Sequence, residues 1–325
     1  MKLRRRGFLH LAAGAAALPI VSRLARAETY PTRPVRIVVG FAPGGTGDMT
    51  ARLMGRWLSE RLGQPFVIEN RPGAASNIAA EMVVRAAPDG YTLLWVTSTN
   101  AISATVYEKL SFNFIRDIAP VAGVIRAPFV MEVNPSVPVK SVHEFIAYAK
   151  ANPGKINFAS GGQGSSTHVP GELFKMLTGV NMVHVPYRGS GSALTSLISG
   201  QMHVAFDVIS SSIEYIRTGK LRALAVTTAN RSEALPDVPS LGDFVPGYEA
   251  STWNGLSAPK NTPSEIIDRL NREINAALAD LKIKEWLANQ GGMAFPGSPA
   301  AFGKFIAEET KRLAEVVKFS GIKPE

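Results

Sequence analysis

Short apolar, β-branched runs alternate with amphipathic helical patterns along most of this chain. Strand runs that are each followed by a helical pattern are typical of α/β proteins with largely parallel sheets. Between the strands, apolar residues recur at three- and four-residue spacing, which predicts helices. The predicted strands cover residues 35–40, 66–69, 92–97, 129–133, 156–159, 182–187, 204–207 and 221–227.

Capping residues mark where several of these helices begin or end. The helix predicted over residues 48–62 has apolar residues at helical spacing, and Gly63 ends it. Ser141 and Glu144 form a capping box that opens another helix. Further helices are predicted to begin near residues 262–265 and 298–299.

The chain has 325 residues, a length that favours two α/β lobes over one very large sheet. No linker rich in proline and serine interrupts it, so we predict that strands join the lobes. The extended runs at 128–135 and 221–228 lie where two crossovers would fit. We therefore predict one lobe from residues 28–126 together with 229–325, and the other from residues 127–228.

The first 27 residues have the features of an export signal. Three arginines at positions 4–6 precede an apolar stretch over residues 8–21, and an A-x-A cleavage pattern ends at Ala27. The letters RRGFL at 5–9 resemble the twin-arginine consensus, but Arg4 stands where that consensus prefers Ser or Thr, which leaves the general secretory route open. An uncleaved anchor is the alternative, although the stretch is short and rich in Ala and Gly. We predict cleavage after Ala27 and a periplasmic protein.

Charge and cysteine content exclude several classes of function. The formal net charge is +9, but the first 27 residues hold six basic and no acidic residues, so the remainder has 29 basic against 26 acidic residues. This balance does not favour nucleic acid as a partner. The sequence contains no cysteine, which excludes disulfides, thiolate metal sites, cysteine nucleophiles and a cysteine-linked lipid anchor.

Strand-to-helix turns rich in glycine, serine and threonine occur at residues 40–48, 160–168 and 187–192, with 97–100 as a weaker fourth case. The first N–H groups of a helix lack internal acceptors and carry partial positive charge, so such turns can bind an anion. Turns after parallel strands meet at one edge of a sheet, where we predict an anion-binding cleft. Taken singly, each turn is better explained as an ordinary connection that uses glycine for its geometry.

Other chemistries have weaker support. No lysine follows the glycine clusters, so there is no P-loop, and no dinucleotide fingerprint is present. A hydrolase built on Ser165 and His168 is an alternative, although both residues lie at one helix start and no G-x-S-x-G elbow occurs. The histidines lack metal-ligand spacing, so no metal is predicted. Asp207 ends an apolar run, and its carboxylate either projects into the cleft or caps a turn.

Several short motifs follow one another in a fixed order. The first is Pro-Gly-Gly-Thr-Gly-Asp at residues 43–48, directly after a strand. The others lie at residues 69–77, 87–93, 164–168, 171–174, 185–189, 219–225 and 236–240. Each motif is weak alone, but together they are specific. Over essentially its whole mature length, the chain resembles the substrate-binding proteins of tripartite tricarboxylate transporters, the Bug receptor family.

The resemblance implies a two-lobed, type II periplasmic binding fold, with a largely parallel, helix-flanked sheet in each lobe and the ligand cleft between the lobes. It also implies that the turns at 44–48 and 160–167, one per lobe, clasp one carboxylate of the ligand. An acid at Asp207 would suit an amino group or a hydroxyl on that ligand. The implied ligand-binding residues are Gly44, Gly45, Thr46, Asp48, Asn77, Thr97, Ser98, Ser160, Gly161, Gly164, Ser165, Ser166, Thr167, Tyr187 and Asp207.

The function implied by the resemblance is that of a periplasmic solute-binding protein. Such a protein captures a small carboxylate, which is a di- or tricarboxylate, an acidic amino acid or an aromatic acid, and passes it to integral membrane transporter subunits. A sensing component that reports the same ligands to a signalling partner is the alternative. No catalysis, cofactor or metal is expected, and the protein is expected to be a monomer.

Overall fold

The computed structural model describes residues 30–323, apart from residues 45, 108 and 188 and the side chain of Thr46. The predicted export signal at residues 1–27 lies outside the described residues. The strands are β1 (Val35–Val39), β2 (Phe66–Asn70), β3 (Thr92–Thr97), β4 (Ile118–Val133), β5 (Ile156–Ser160), β6 (Met182–Pro186), β7 (Val204–Val208), β8 (Arg222–Val226), β9 (Ser251–Pro259) and β10 (Met293–Ala294). The helices are α1 (Thr46–Leu62), α2 (Asn77–Val84), α3 (Ser98–Val106), α4 (Val142–Ala151), α5 (Val169–Thr178), α6 (Ser190–Ile198), α7 (Ile209–Arg217), α8 (Ser264–Ala279), α9 (Leu281–Asn289) and α10 (Pro299–Ser320).

The strands form two sheets that share β4. In the first sheet, β1 pairs in parallel with β2 and β3, and β9 runs antiparallel between β3 and β4. In the second sheet, β5 pairs in parallel with β6 and β7, while β4 runs antiparallel to β7 and β8. Helices pack on both sheets. The predicted α/β class is therefore confirmed, with more antiparallel pairing than the sequence indicates.

The strand β4 crosses from one sheet into the other. Its residues up to Pro128 pair with β9, and its residues from Phe129 onward pair with β7. The sequence predicts only the second part, because Pro120 and Gly123 interrupt the first, where the pairing register shifts twice. The sequence does not predict β9 either, since its Ser, Thr, Asn and Gly residues are typical of turns. The other predicted strands are confirmed to within one residue at each end.

The predicted helix starts are largely confirmed. The Ser141 hydroxyl accepts a hydrogen bond from the Glu144 N–H at 3.2 Å, and the Ser298 hydroxyl caps α10. The start of α8 differs, because the Thr262 hydroxyl donates to the Pro259 carbonyl instead of capping the helix. Every helix in the described part of the chain is too short or too polar to span a bilayer.

Hydrogen bonds of Thr227 join the chain crossings between the two sheets. Its fully buried hydroxyl accepts from the Phe129 N–H at 2.9 Å and donates to the Ala250 carbonyl at 2.7 Å. Its backbone N–H donates to the Phe129 carbonyl, and its carbonyl accepts from the Ala250 N–H. The outgoing strand β4 and the returning segment between β8 and β9 are thus held side by side. That residues 127–228 form a separate lobe stays a prediction.

The helix α10 packs across both halves of the molecule. It contacts α3, which follows a strand of the first sheet, and α5, which follows a strand of the second. Its buried Phe302 lies edge-on to Trp253 of β9, with ring centroids 5.9 Å apart. Its buried Leu313 belongs to the same apolar cluster as Phe174 of α5. Burial of each such side chain contributes roughly 1.5–3 kcal/mol, so α10 stabilises the arrangement of both sheets.

Glu132 is a carboxyl group at the centre of the second sheet. It is 0% exposed, and one of its oxygens accepts a hydrogen bond from the Ser212 hydroxyl at 2.6 Å. The other oxygen has no hydrogen-bond partner among the described residues. Burial, assisted by the nearby Asp207 carboxylate, raises the pKa of Glu132 well above its usual value, although the hydrogen bond from Ser212 favours the charged form. The fold therefore favours the neutral form of this side chain.

We predict that the wild-type protein loses stability as the pH rises because Glu132 must ionise while buried, and that Glu132→Gln abolishes this loss. The folded-state pKa is raised, so the stability from the neutral carboxyl is complete below the unfolded-state pKa of 4.5 and falls as pH rises toward the folded-state pKa. Over that pH range, the difference in the free energy of unfolding between the variant and wild type should shift in favour of the variant by up to about 1.4 kcal/mol per pH unit. Urea titrations at about pH 5 and about pH 8 measure this. The exposed Glu285→Gln is the control, and parallel curves for wild type and Glu132→Gln would contradict the prediction.

Candidate functional site

A cleft of about 700 Å³ opens between the ends of the two sheets. One wall comes from turns that follow strands of the first sheet, and the other from the turns after β5 and β6. The residues that line the cleft are Phe41, Ala75, Thr99, Gly161, Gly162, Gln163, Gly164, Ser165, Ser166, Pro186, Tyr187 and Gly189. None of these described lining residues carries a formal charge.

The turn after β5, residues 160–168, is held by its own side chains. The Thr167 hydroxyl accepts from the Gly161 N–H at 2.8 Å, and the Ser160 hydroxyl accepts from the Gly162 N–H at 3.1 Å. The His168 Nδ1 atom accepts from the Gly164 N–H at 3.0 Å. The side chains that act as acceptors here are buried. The turn is therefore ordered without help from a ligand.

Some N–H groups of this turn stay available. The backbone N–H groups of Gln163, Ser166 and Thr167 have no acceptor within the described part of the chain. The half-buried Ser166 hydroxyl likewise makes no hydrogen bond to a described residue. Backbone N–H groups that lack an acceptor attract anions. Gln163 and Ser166 line the cleft, so the turn offers their N–H groups and the Ser166 hydroxyl to a negatively charged group there.

The start of α6 lies against the same turn. A Cβ atom added at Gly161 would lie 3.2 Å from the Ser190 nitrogen, so the absence of a side chain allows the turn and the helix to approach this closely. The first N–H groups of α6 carry the partial positive charge of a helix N-terminus. Gly189, the residue before α6, lines the cleft. The helix end thus adds to the positive potential of the turn.

Two stacked imidazole rings support the turn from behind. The rings of His168 and His184 are 3.6 Å apart and inclined by 11°. The His184 Nε2 atom lies 2.6 Å from the Ser160 hydroxyl. Burial, assisted by the neighbouring His168, lowers the pKa of His184 to about 3, so this ring is neutral near neutral pH. The stack fixes Ser160 and Gly164 from behind the turn.

The hydrolase alternative has no geometric support. The Ser165 hydroxyl is hydrogen-bonded to the Thr167 hydroxyl at 3.1 Å and not to His168. The Nδ1 atom of His168 accepts from Gly164, and its Nε2 atom lies 3.4 Å from the Glu172 carboxylate. Both ring nitrogens are therefore engaged, and neither is positioned to activate Ser165. Within the described part of the chain, no cluster of His, Asp and Glu side chains could hold a metal ion.

In the turn after β1, Asp48 bonds inward. It is 2% exposed, and it accepts hydrogen bonds from the Gly44 N–H, the Arg52 guanidinium and the Asn70 amide at 2.8–2.9 Å. Burial opposes ionisation, but these bonds outweigh it and lower the pKa of Asp48. Asp48 therefore shapes the turn from behind. Gly45 and the Thr46 side chain lie outside the described residues.

A strained segment forms the adjacent part of this wall. Ala74, Ala75 and Ser76 all have left-handed backbone angles, with φ of 46°, 49° and 72°. Ser76 lies so close to Gly40 that a Cβ atom added to Gly40 would be 1.8 Å from the hydroxyl oxygen of Ser76. Left-handed residues other than glycine cost free energy and concentrate at functional sites. The strain here presents Ala75 to the cleft.

The structure separates the predicted site residues into two groups. Gly161, Gly164, Ser165, Ser166 and Tyr187 line the cleft. The others are not among the described lining residues; in particular, Thr97 and Ser98 cap or begin α3, and Asp207 is buried beside Ser190. Those outside the lining are Gly44, Asp48, Asn77, Thr97, Ser98, Ser160, Thr167 and Asp207. Direct ligand contact by any of these residues stays a prediction.

Seven described residues that line the cleft are not among the predicted site residues, namely Phe41, Ala75, Thr99, Gly162, Gln163, Pro186 and Gly189. Thr99 and Gln163 lie inside turns whose composition had already been recognised, so a broader selection within those turns would have included them. Phe41 lies in the turn at residues 40–48 and Ala75 in the motif at residues 69–77, but an apolar side chain in such a segment does not by itself indicate a lining role. They reach the cleft through the left-handed backbone at residues 74–76 and the fold of the β1 turn, which a sequence pattern does not encode.

The sequence profile of the tripartite tricarboxylate transporter family receptors matches residues 50–322. The chain belongs to this family. BugT of Bordetella pertussis is 38% identical over 300 residues, which cover 91% of this chain and 92% of BugT. The family assignment confirms the expected resemblance.

Solved structures agree with this assignment. Rpa4515 of R. palustris, solved with adipate, is 38% identical and superposes with a TM-score of 0.79 over 91% of this chain and 100% of that chain. MatC of Rhodopseudomonas palustris, solved with bound malate, is 33% identical with a TM-score of 0.76 over 89% of this chain and 100% of MatC. The periplasmic binding protein BugD gives 31% identity and a TM-score of 0.76, over 91% of this chain and 100% of BugD. The fold is thus that of periplasmic solute-binding receptors of this family.

We predict that Ala75→Gly stabilises the ligand-free protein. Ala75 has φ 49° and ψ 49°, a conformation that glycine adopts without the steric cost of a Cβ atom. The free energy of unfolding should rise by roughly 0.5–1 kcal/mol in urea titrations. Ala276→Gly, at an exposed position inside α8, is the matched control and should lose roughly 1 kcal/mol. A loss in both variants would mean that residue 75 is not strained.

Proposed function

We propose that this protein binds a small carboxylate in the cleft between its two sheets and delivers it to membrane subunits of a tripartite tricarboxylate-type transporter. The observation that carries the proposal is the turn at residues 160–168. It is ordered by its own buried side chains, yet it leaves the N–H groups of Gln163, Ser166 and Thr167 without described acceptors. The relatives solved with adipate and malate support a carboxylate as the ligand class.

Electrostatics favour an anion over a neutral ligand. The positive end of α6 meets the turn at Gly161, and Thr99 from the first turn of α3 lines the opposite wall. Among the described lining residues there is no carboxylate to repel a charged ligand. In a cleft shielded from water, hydrogen bonds from N–H groups to a carboxylate are roughly twice as strong as those to a neutral acceptor. A carboxylate should therefore bind more tightly than its amide.

Transport requires that binding change the shape of the receptor. The cleft has walls from both sheets, and the crossings tied by Thr227 are the natural position for a hinge. A ligand that contacts both walls favours the closed form by its differential affinity for the two forms. The closed form would then present a surface that the membrane subunits recognise. We further propose export of the protein through the signal at residues 1–27, with cleavage after Ala27.

We predict that a carboxylate stabilises the protein against heat and that its amide does not. Ligand-free protein would be screened by thermal unfolding with citrate, malate, adipate, glutamate and nicotinate, each beside its amide. A ligand at a thousand times its Kd adds about 4 kcal/mol, enough for a shift of several degrees. No shift with any acid would refute carboxylate capture.

Variants then test the site itself. Ser166→Ala removes a hydroxyl that lines the cleft and should weaken carboxylate binding by about five- to tenfold without changing the Tm of the ligand-free protein. Ser196→Ala removes a half-buried hydroxyl on α6 away from the cleft lining, and its Kd should equal that of wild type in calorimetric titrations. Equal losses in the two variants would place the ligand elsewhere.

We predict that ligand affinity depends on pH through the ionisation of Asp207. Burial raises the pKa of Asp207 to about 6, although a hydrogen bond from Ser190 favours the charged form. Above that pH the side chain is negative beneath the start of α6, where it opposes a bound carboxylate. The affinity of wild type should therefore increase about threefold between about pH 7 and about pH 5.5. Asp207→Asn should show a smaller change, whereas the exposed Asp243→Asn should behave as wild type. A pH dependence that persists in Asp207→Asn would exclude this residue as its source.

A further inference from the structure

The end of α10 returns toward the cleft. The helix ends at Ser320, and Gly321, with φ 65°, turns the chain in the left-handed conformation typical of a residue after a helix. Ile322 is consequently buried, and its Cγ2 atom lies 3.5 Å from the position of a Cβ atom on Gly164. The segment after α10 thus contacts the turn that offers N–H groups to an anion.

A second cavity, of about 240 Å³, lies beside the cleft and shares Ala75, Gln163 and Gly164 with it. We refer to it as the side cavity. Its remaining lining comes from the strained turn, from α3 and from the segment after α10. Those residues are Ala74, Ile102, Ser103, Val106, Tyr107 and Lys323.

We propose that the side cavity receives the far end of an extended dicarboxylate, and that Lys323 supplies the positive charge for its second carboxylate. The first carboxylate would occupy the turn at residues 160–168, so this inference rests on the proposed function. The ligand would then pass the boundary formed by Ala75, Gln163 and Gly164, which the two cavities share.

Charge supports this assignment. Lys323 carries the only formal charge among the described residues that line the side cavity. Its ammonium group is exposed and forms no ion pair with any described residue. A cation that is paired with none of the described residues can meet a carboxylate without first breaking an ion pair to any of them. The cleft itself has no charged side chain in its described lining, whereas the lining of the side cavity includes Lys323.

The walls of the side cavity indicate the chemistry of the spacer between the two carboxylates. Ile102 and Val106, one turn apart on α3, provide an apolar surface suited to methylene groups. The Ser103 hydroxyl donates to the Ala75 carbonyl at 3.1 Å and is not free to donate elsewhere. The Tyr107 hydroxyl makes no hydrogen bond to a described residue and is available beside Lys323. A straight-chain dicarboxylate fits these features better than a compact, hydroxylated acid.

Calorimetric titration of the full mature chain would test this inference. The probes are succinate, glutarate, adipate, pimelate and suberate, together with the monocarboxylates butyrate, hexanoate and octanoate. In wild type, at least one dicarboxylate should bind more tightly than the monocarboxylate of the same length. Lys323→Gln should lower the affinity for that dicarboxylate about tenfold and leave the affinity for the monocarboxylate unchanged. Lys323→Arg should restore most of the affinity.

Lys311→Gln is the matched control, because it removes one exposed positive charge from α10 outside the side cavity. Its affinities for both classes of probe should equal those of wild type. Equal effects of Lys323→Gln on mono- and dicarboxylates, or no effect on either, would overturn the inference while leaving carboxylate capture intact. A wild type that binds compact acids but none of the straight-chain dicarboxylates would also overturn it. Failure of wild type to bind any acid would instead refute the proposed function.

Discussion

The cleft depends on one constraint, which is that a turn must be rigid while some of its N–H groups have no acceptor inside the protein. The turn at residues 160–168 satisfies this constraint because buried side chains accept hydrogen bonds from some of its backbone N–H groups and leave others without an acceptor among the described residues. Thr167, Ser160 and His168 each accept one backbone N–H, and stacking against His184 holds His168 in place. Because these acceptors are buried, water does not compete for them. The ordering cost of the turn is met on folding, so a ligand does not bear it on binding.

The two walls of the cleft belong to one continuous structure. The strand β4 is a member of both sheets, Thr227 links it to the returning chain, and α10 packs on helices of both halves. In the hinge that we propose, motion between the walls would concentrate at the few residues around Phe129, Thr227 and Ala250, because a packed core resists deformation. The segment after α10 extends this link to the turn itself, where Ile322 lies against Gly164.

Much of the fold can be predicted because apolar strand runs end at glycine-rich turns, and this local pattern survives in three dimensions. The pattern fails at β9 and at the start of β4, where pairing on both sides stabilises segments whose own composition favours turns. Within the site, composition identifies the turn at 160–168. It does not show that Asp48 bonds inward to Arg52, or that a strained backbone carries Ala75 to the cleft. Those facts depend on neighbours that are distant in sequence or on backbone angles that alanine seldom adopts.

The position of β9 determines when the molecule can become complete during synthesis. This strand lies between β3 and β4 in the first sheet, yet it follows every strand of the second sheet along the chain. While the ribosome makes residues 134–250, β3 and β4 have no common neighbour, and each exposes an edge with unsatisfied N–H and C=O groups. The second sheet has all of its strands once residue 226 has been made, whereas β9 can join β3 to β4 only after residue 259 has been made. The nascent chain therefore carries open strand edges through much of its translation, the stage at which a holding chaperone would protect it best.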